Sequence, residues 1–199
     1  MEKAHKYNFS FTAASLRLNE MVLVAKSMHE HTALDVTNVL GAGKKSTGTR
    51  MLLEFKNRLS TLTQAQLNLL ISGDLITRKQ LAFLSICKYN KFIRDFVVEV
   101  VREKLLVFDY QITEADYISF FRRKSENYPE VESIKESTQY KIKQVLFKIL
   151  EDAGSIDTAK SKIIQPQILD SNVMHTIVSD NRQWLKVFFM SDIDIENSI

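Results

Sequence analysis

The chain has 199 residues, 45% of them hydrophobic and 26% charged, with a formal charge of +3 and a pI near 8.9. This is the composition of a soluble globular protein with enough chain for one good core or two small lobes. The single Cys87 excludes an intrachain disulfide and fits a reducing cytoplasm, and five glycines with two prolines favour long helices over turn-rich sheets.

The N-terminal stretch MEKAHKYNFS has no apolar core of signal-peptide length, and His5 sits in what reads as a loose terminus. Thr12 then precedes AASLRLNEMVLVAKSMHEH, where Leu18, Val22 and Ala25 recur at helical spacing. Between Gly41 and Met51 the chain reads GAGKKSTGTRM. A nucleotide-binding P-loop would need a glycine five positions before Gly43 and a hydroxyl directly after Lys44. Asn38 and Lys45 stand there instead, so the spacing argues against a nucleotide site. Ser46, Thr47 or Thr49 can cap the helix that follows.

Thr63 to Gln66 is a capping box, with Gly73 placed to end its helix; Thr77 to Gln80 is a second box, leading into LAFLSICKY. Lys91 to Phe108 is the most apolar segment. Phe92, Phe96, Val100 and Leu106 or Val107 follow a 3.6-residue period, which predicts a central, largely buried helix. Thr113 to Asp116 caps YISFFRRK, while Ser137 or Thr138 caps QYKIKQVLFKILEDA, which Gly154 ends. Ser155 to Gln167, with Pro166, reads as a connector, and a two-turn helix is expected from Ser171. The expected architecture is all-α: a compact bundle of about nine helices in one domain over 1–190, with a small C-terminal lobe from about 163. Residues 191–199 read as a flexible acidic tail. The longest apolar runs are broken by charges within a few residues, so no segment is expected to span a membrane.

Catalytic chemistry finds little support. His29 and His31 lie on different helix faces, and Cys87 occupies an inward helical position where small buried cysteines are common. Asp192, Asp194 and Glu196 begin like a calcium loop but lack its glycine and its final glutamate. No catalytic residue, metal, cofactor or small-molecule substrate is therefore expected.

Charge is informative because it is local. Residues 41–60 carry Lys44, Lys45, Arg50, Lys56 and Arg58 against Glu54 alone, whereas residues 1–40 balance. A glycine-bearing basic loop that opens a helix can hold phosphate through its amides and cations. The alternative of equal weight is a solvated loop with ordinary surface lysines. A second basic set holds Lys88, Lys91 and Arg94 around Tyr89, and a third holds Arg122, Arg123 and Lys124 after Phe120 and Phe121, two rings better suited to the core than to base stacking. The candidate DNA contacts are Lys44, Lys45, Thr47, Thr49, Arg50, Arg58, Lys88 and Lys91.

Five blocks carry a resemblance: YNFSFTAASLRLNEMVLVA, STGTRMLLEFKNRLSTL, LAFLSICKYNKFIRDFVVEVVREKLL, STQYKIKQVLFKILEDAGSI and IIQPQIL. In this order and at these spacings the chain, over roughly residues 7 to 190, resembles the BrxA family of the BREX bacteriophage-defence systems. The resemblance implies an all-helical fold, NusB-like in part, and a non-catalytic protein of the cytoplasm that binds double-stranded DNA and works beside other BREX defence proteins. It supplies no set of site residues, so the candidates above rest on charge and loop chemistry. Two other readings stay open: an adaptor whose basic faces meet an acidic protein partner, and NusB-like RNA binding.

Overall fold

The computed structural model describes residues 6–198; His5 and the first half of the N-terminal stretch lie outside them. Among the described residues the chain forms eleven α-helical segments: α1 (Leu18–Glu30), α2 (Lys45–Leu59), α3 (Gln64–Ser72), α4 (Leu75–Tyr89), α5 (Lys91–Phe96), α6 (Glu103–Leu106), α7 (Glu114–Asn127), α8 (Pro129–Glu132), α9 (Glu136–Ala153), α10 (Ser171–Asn181) and α11 (Asp192–Glu196). Short 3-10 turns at Ser10–Ala13 and Arg182–Phe188, and π-helical turns at Val36–Leu40 and Val97–Arg102, complete the helical inventory. The fold is all-α, as the sparse glycine and proline led one to expect.

The centre of the molecule is aromatic. The Phe92 ring lies 5.2 to 6.3 Å from those of Tyr7, Phe9, Phe11, Phe120 and Phe121, most of them edge to face. Phe120 and Phe121 belong to this core and are not free to stack on bases. One apolar cluster runs from Tyr7 to Ile195, so the residues beyond 163 share it through Val173, Ile177, Leu185 and Phe188. Cys87 is fully buried, and burial pushes its thiol well above the ordinary value.

Several expected boundaries move, each for a local reason. α4 starts at Leu75 because the Asp74 carboxylate accepts the Thr77 amide at 2.8 Å; Thr77 is thus inside the helix and caps nothing. α9 starts at Glu136 with no side-chain cap, so Ser137 and Thr138 are already helical. Thr12 lies in a 3-10 turn, and α1 begins only at Leu18. α5, the π turn and α6 run on as one rod from Lys91 to Leu106. The wider π turn shifts the helical phase, which takes Leu106 and Val107 out of the buried stripe. α10 has eleven residues, three turns where two were expected. The connector pairs with itself through the Ile156–Ile164 bridge and with the segment before α7 through the Gln111–Ile163 bridge. The acidic tail is also ordered up to Asn197: α11 buries Ile195, and the buried Arg102 holds Asp192 at 3.1 Å.

Two of these devices contribute to the acid sensitivity. The Thr77 amide lowers the Asp74 carboxyl, and hydrogen bonds from Lys186 and Arg102 lower Asp192. A depressed carboxyl contributes stability above its unfolded value of 3.8 that is lost as pH falls through the folded one. The melting temperature should therefore hold steady from about pH 7 to about pH 5 and drop below about pH 4, read by circular dichroism.

Candidate nucleic-acid interface

The segment that raised the question of phosphate binding is an exposed basic loop fixed to a rigid base. The π turn Val36–Leu40 is opened by Asp35, whose carboxylate accepts the Asn38 amide at 3.1 Å. Gly43 then takes a φ of +86°, a left-handed geometry that glycine adopts without strain. Its amide donates to the Thr37 carbonyl at 3.0 Å, which folds the loop back onto the turn. Gly48 fixes the next contact: a Cβ there would lie 2.2 Å from the Val36 carbonyl oxygen. Gly48→Ala should force α2 off the turn and lower stability by about 1–3 kcal/mol, measurable as a lower urea midpoint.

α2 begins at Lys45 with Lys44 in the cap position and no side chain capping it, and no acid occupies its first turn. The amides of Lys45, Ser46 and Thr47 have no acceptor among the described residues. α3, α4, α7, α10 and α11 are capped by Thr63, Asp74, Thr113, Asp170 and Ser191, whereas α1, α5, α6, α8 and α9 lack a side-chain cap as α2 does; what sets α2 apart is the cluster of cations at its start. Ser46, Thr47 and Thr49, expected as caps, lie within the helix, because the chain already turns helical at Lys45.

The structure brings Lys44, Lys45, Thr47, Thr49 and Arg50 together as one exposed group around this N-terminus. Down the outer side of α2 the exposed residues are Lys45, Ser46, Thr49, Arg50, Leu53 and Lys56, at three- and four-residue intervals. The ion pair on α2 is an internal one, Arg58 with Glu54, so among the described residues these outer cations are uncommitted. Lys56, absent from the candidates that charge and loop chemistry pick out, shares this side of α2 because it continues the helical spacing from Lys45, Thr49 and Leu53. From Lys45 to Lys56 the face is about 16 Å long at 1.5 Å per residue, or about five base-pair rises.

The other three candidates go elsewhere. Arg58 is wholly buried and is removed from the interface: its Nε donates to Glu54 Oε1 at 2.8 Å, and Nη1 and Nη2 donate to the Ser15 and Ala14 carbonyls. Lys88 is tucked in beside Asp180, with its head 5.7 Å from the Trp184 ring. Lys91 lies against both Tyr7 and Tyr128, 4.4 and 4.5 Å from their ring centres, and donates to the Tyr128 hydroxyl at 2.9 Å. Lys88 and Lys91 share a cavity with Lys6, Asn8, Tyr89 and Arg94, away from the N-terminus of α2. Arg123 and Lys124 are drawn to Glu99, which weakens the third basic set.

Among the described residues no group of three or more His, Cys, Asp or Glu could hold a metal ion, and no helix is long and apolar enough to cross a membrane.

What the fold defines is an all-helical protein with a basic helix face whose N-terminus no side chain caps. The family model that matches, BrxA, covers residues 5–181, and the chain belongs to the BrxA family. Curated relatives carry the same designation, "BREX protein BrxA". The chain is 32% identical to that of Bacillus cereus over 106 residues, and 27% identical to that of Escherichia coli over 128 residues. These matches span 53% and 64% of this chain and only 53% and 60% of the two relatives. A third, from Paramagnetospirillum magneticum, is 22% identical over 90% of this chain and 94% of its own. A crystal structure of an uncharacterized protein from Magnetospirillum magneticum matches with a TM-score of 0.78 at 20% identity, covering 93% of this chain and 98% of the other, which supports the shared fold alone.

Proposed function

We propose that this protein is a non-enzymatic, double-stranded-DNA-binding accessory component of a BREX phage-defence system, working in the cytoplasm beside other BREX proteins. The observation that carries the DNA reading is the N-terminus of α2. Three amides without acceptors, no acid in the first turn, and Lys44, Lys45 and Arg50, unpaired among the described residues, converge on one exposed helix start. Amides and the helix dipole favour an anion there, and the cations neutralise backbone charge without reading sequence. Thr47 and Thr49 add hydroxyl donors, and Lys56 extends the contact along the duplex. Leu53, exposed in the middle of the face, offers an apolar surface to sugar or base edges.

Family membership supports the defence role, because the relatives are BREX proteins. An adaptor role is favoured by a different observation, the exposed Val107, Phe108 and Tyr110 between α6 and α7, which have no part in the basic face. The two readings separate in fluorescence anisotropy of a labelled duplex of about 20–30 base pairs titrated at several salt concentrations, with single-stranded RNA alongside. Salt-sensitive duplex binding is the expected result. Tighter binding of the single strand would favour RNA, and no binding near physiological salt would favour the adaptor.

A further inference from the structure

Lys6, Asn8, Lys88, Tyr89, Lys91 and Arg94 line a cavity of about 290 Å³ between the N-terminal segment and the α4–α5 junction. Four of the six are cations and none is an acid. The carboxylates that balance them stand behind the wall and are oversubscribed. Asp95 approaches Lys91 and Arg94 at 3.5 Å and Lys124 at 3.6 Å, and it also accepts the Tyr7 hydroxyl at 2.6 Å. Asp180 serves Lys88. Among the described residues, neither Lys6 nor Arg94 makes a side-chain hydrogen bond, and the Arg94 guanidinium stands 3.5 Å from Asp95 through Nε.

The neutral wall groups point the same way. Asn8 Oδ1 accepts from Asn90 Nδ2 at 2.9 Å and from the Ser10 hydroxyl at 2.8 Å, which leaves the Asn8 amide group as a donor. The Tyr89 oxygen accepts from Asn57 Nδ2 at 3.0 Å, so its own proton is free to donate. Two of the cations are fixed in the wall by partners of their own: Lys88 Nζ donates to Asp180, to Gln66 Oε1 at 3.0 Å and to the Thr61 carbonyl at 3.1 Å, and Lys91 Nζ donates to the Tyr128 hydroxyl at 2.9 Å. They supply charge, while the donors left open to a ligand are those of Lys6, Arg94, Asn8 and Tyr89, with Lys88 and Arg94 each 5.7 Å from the Trp184 ring. The ligand that answers such a wall accepts hydrogen bonds from several directions and carries more than one negative charge.

We infer that this cavity binds a phosphate group, either that of a small phosphate compound or one from a nucleic-acid strand, as a second anion site separate from the α2 face. Trp184 is the sole tryptophan and stands beside two of the cations, so its emission reports occupancy. The full chain is titrated with inorganic pyrophosphate at constant ionic strength, by tryptophan emission and by calorimetry, so that an optically silent event is still seen. A saturable signal is expected, with half-saturation raised about tenfold or more in the Lys6→Gln, Arg94→Gln double variant. Thermal melts confirm that the variant is folded. The Lys44→Ala, Lys45→Ala, Arg50→Ala variant should give the parental pyrophosphate curve, so failure of the α2 reading leaves this result intact. No saturable signal in the parent, or the same curve in the folded double variant, would overturn the proposal. Given binding, a short duplex that displaces pyrophosphate identifies a strand phosphate as the source; one that leaves it bound identifies a small phosphate compound.

Discussion

Replacing Arg58 with alanine should destabilise the protein by about 3–5 kcal/mol, a large part of the ~5–15 kcal/mol that holds a typical domain folded. The guanidinium is completely buried, and burial pulls its pKa down while Glu54 pulls it back up. It is retained as a cation because its donors are matched on Glu54, Ala14 and Ser15. Through these bonds it ties the segment that follows the first 3-10 turn to the last turn of α2. Alanine would leave the Glu54 carboxylate, itself only 3% exposed, without a partner, and would strand two carbonyls. The cost lies mostly in the orphaned charge, so changing both residues, Arg58→Met with Glu54→Leu, should recover much of it. Urea unfolding reads both effects. A parental midpoint for Arg58→Ala would refute this account of α2. Because Arg58 does not face solvent, the folded fraction should bind duplex as the parent does.

The second large effect concerns binding. Changing Lys44, Lys45 and Arg50 together to alanine removes three exposed charges that make no ion pair or side-chain hydrogen bond among the described residues, so the melting temperature should stay near that of the parent. If each cation neutralises one phosphate, duplex affinity at about 0.1 M salt should fall by several hundredfold, since each contact contributes about 0.9 to the logarithmic salt dependence. Loss of a folded core cannot produce that combination, and neither can a loop that merely sits in solvent.

Much of the architecture was legible because local rules and tertiary packing agreed. The Thr63 box, the Gly154 stop at φ +76° and the apolar period from Phe92 to Val100 each appear in the structure where the sequence places them. The failures came where packing overrode local preference. Asp74 outcompeted Thr77 as a cap because it starts the same helix three residues earlier, and the π turn after Phe96 changed the phase that a regular helix would have kept.

The site was only half legible. The exposed group at 44–50 follows from composition and glycine spacing. Arg58 looked like one more member of a basic run, yet Met51, Phe55 and Arg58 lie at intervals of four and three, which puts its side chain on the apolar face with Glu54 one turn before it. That signal was available. The cavity partners of Lys88 and Lys91 were not. Lys6 and Asn8 reach them from eighty or more positions away, and Trp184 reaches Lys88 from more than ninety, and no periodicity encodes contacts at such a distance.

The most direct test of the central claim is the slope of log affinity against log salt for a short duplex, measured for the parent and for the Lys44→Ala, Lys45→Ala, Arg50→Ala variant. The basic face of α2 predicts a steep parental slope that becomes shallower by about 2.7 in the variant. Equal slopes in two folded proteins would contradict it and place the DNA contacts, if any, elsewhere on the molecule.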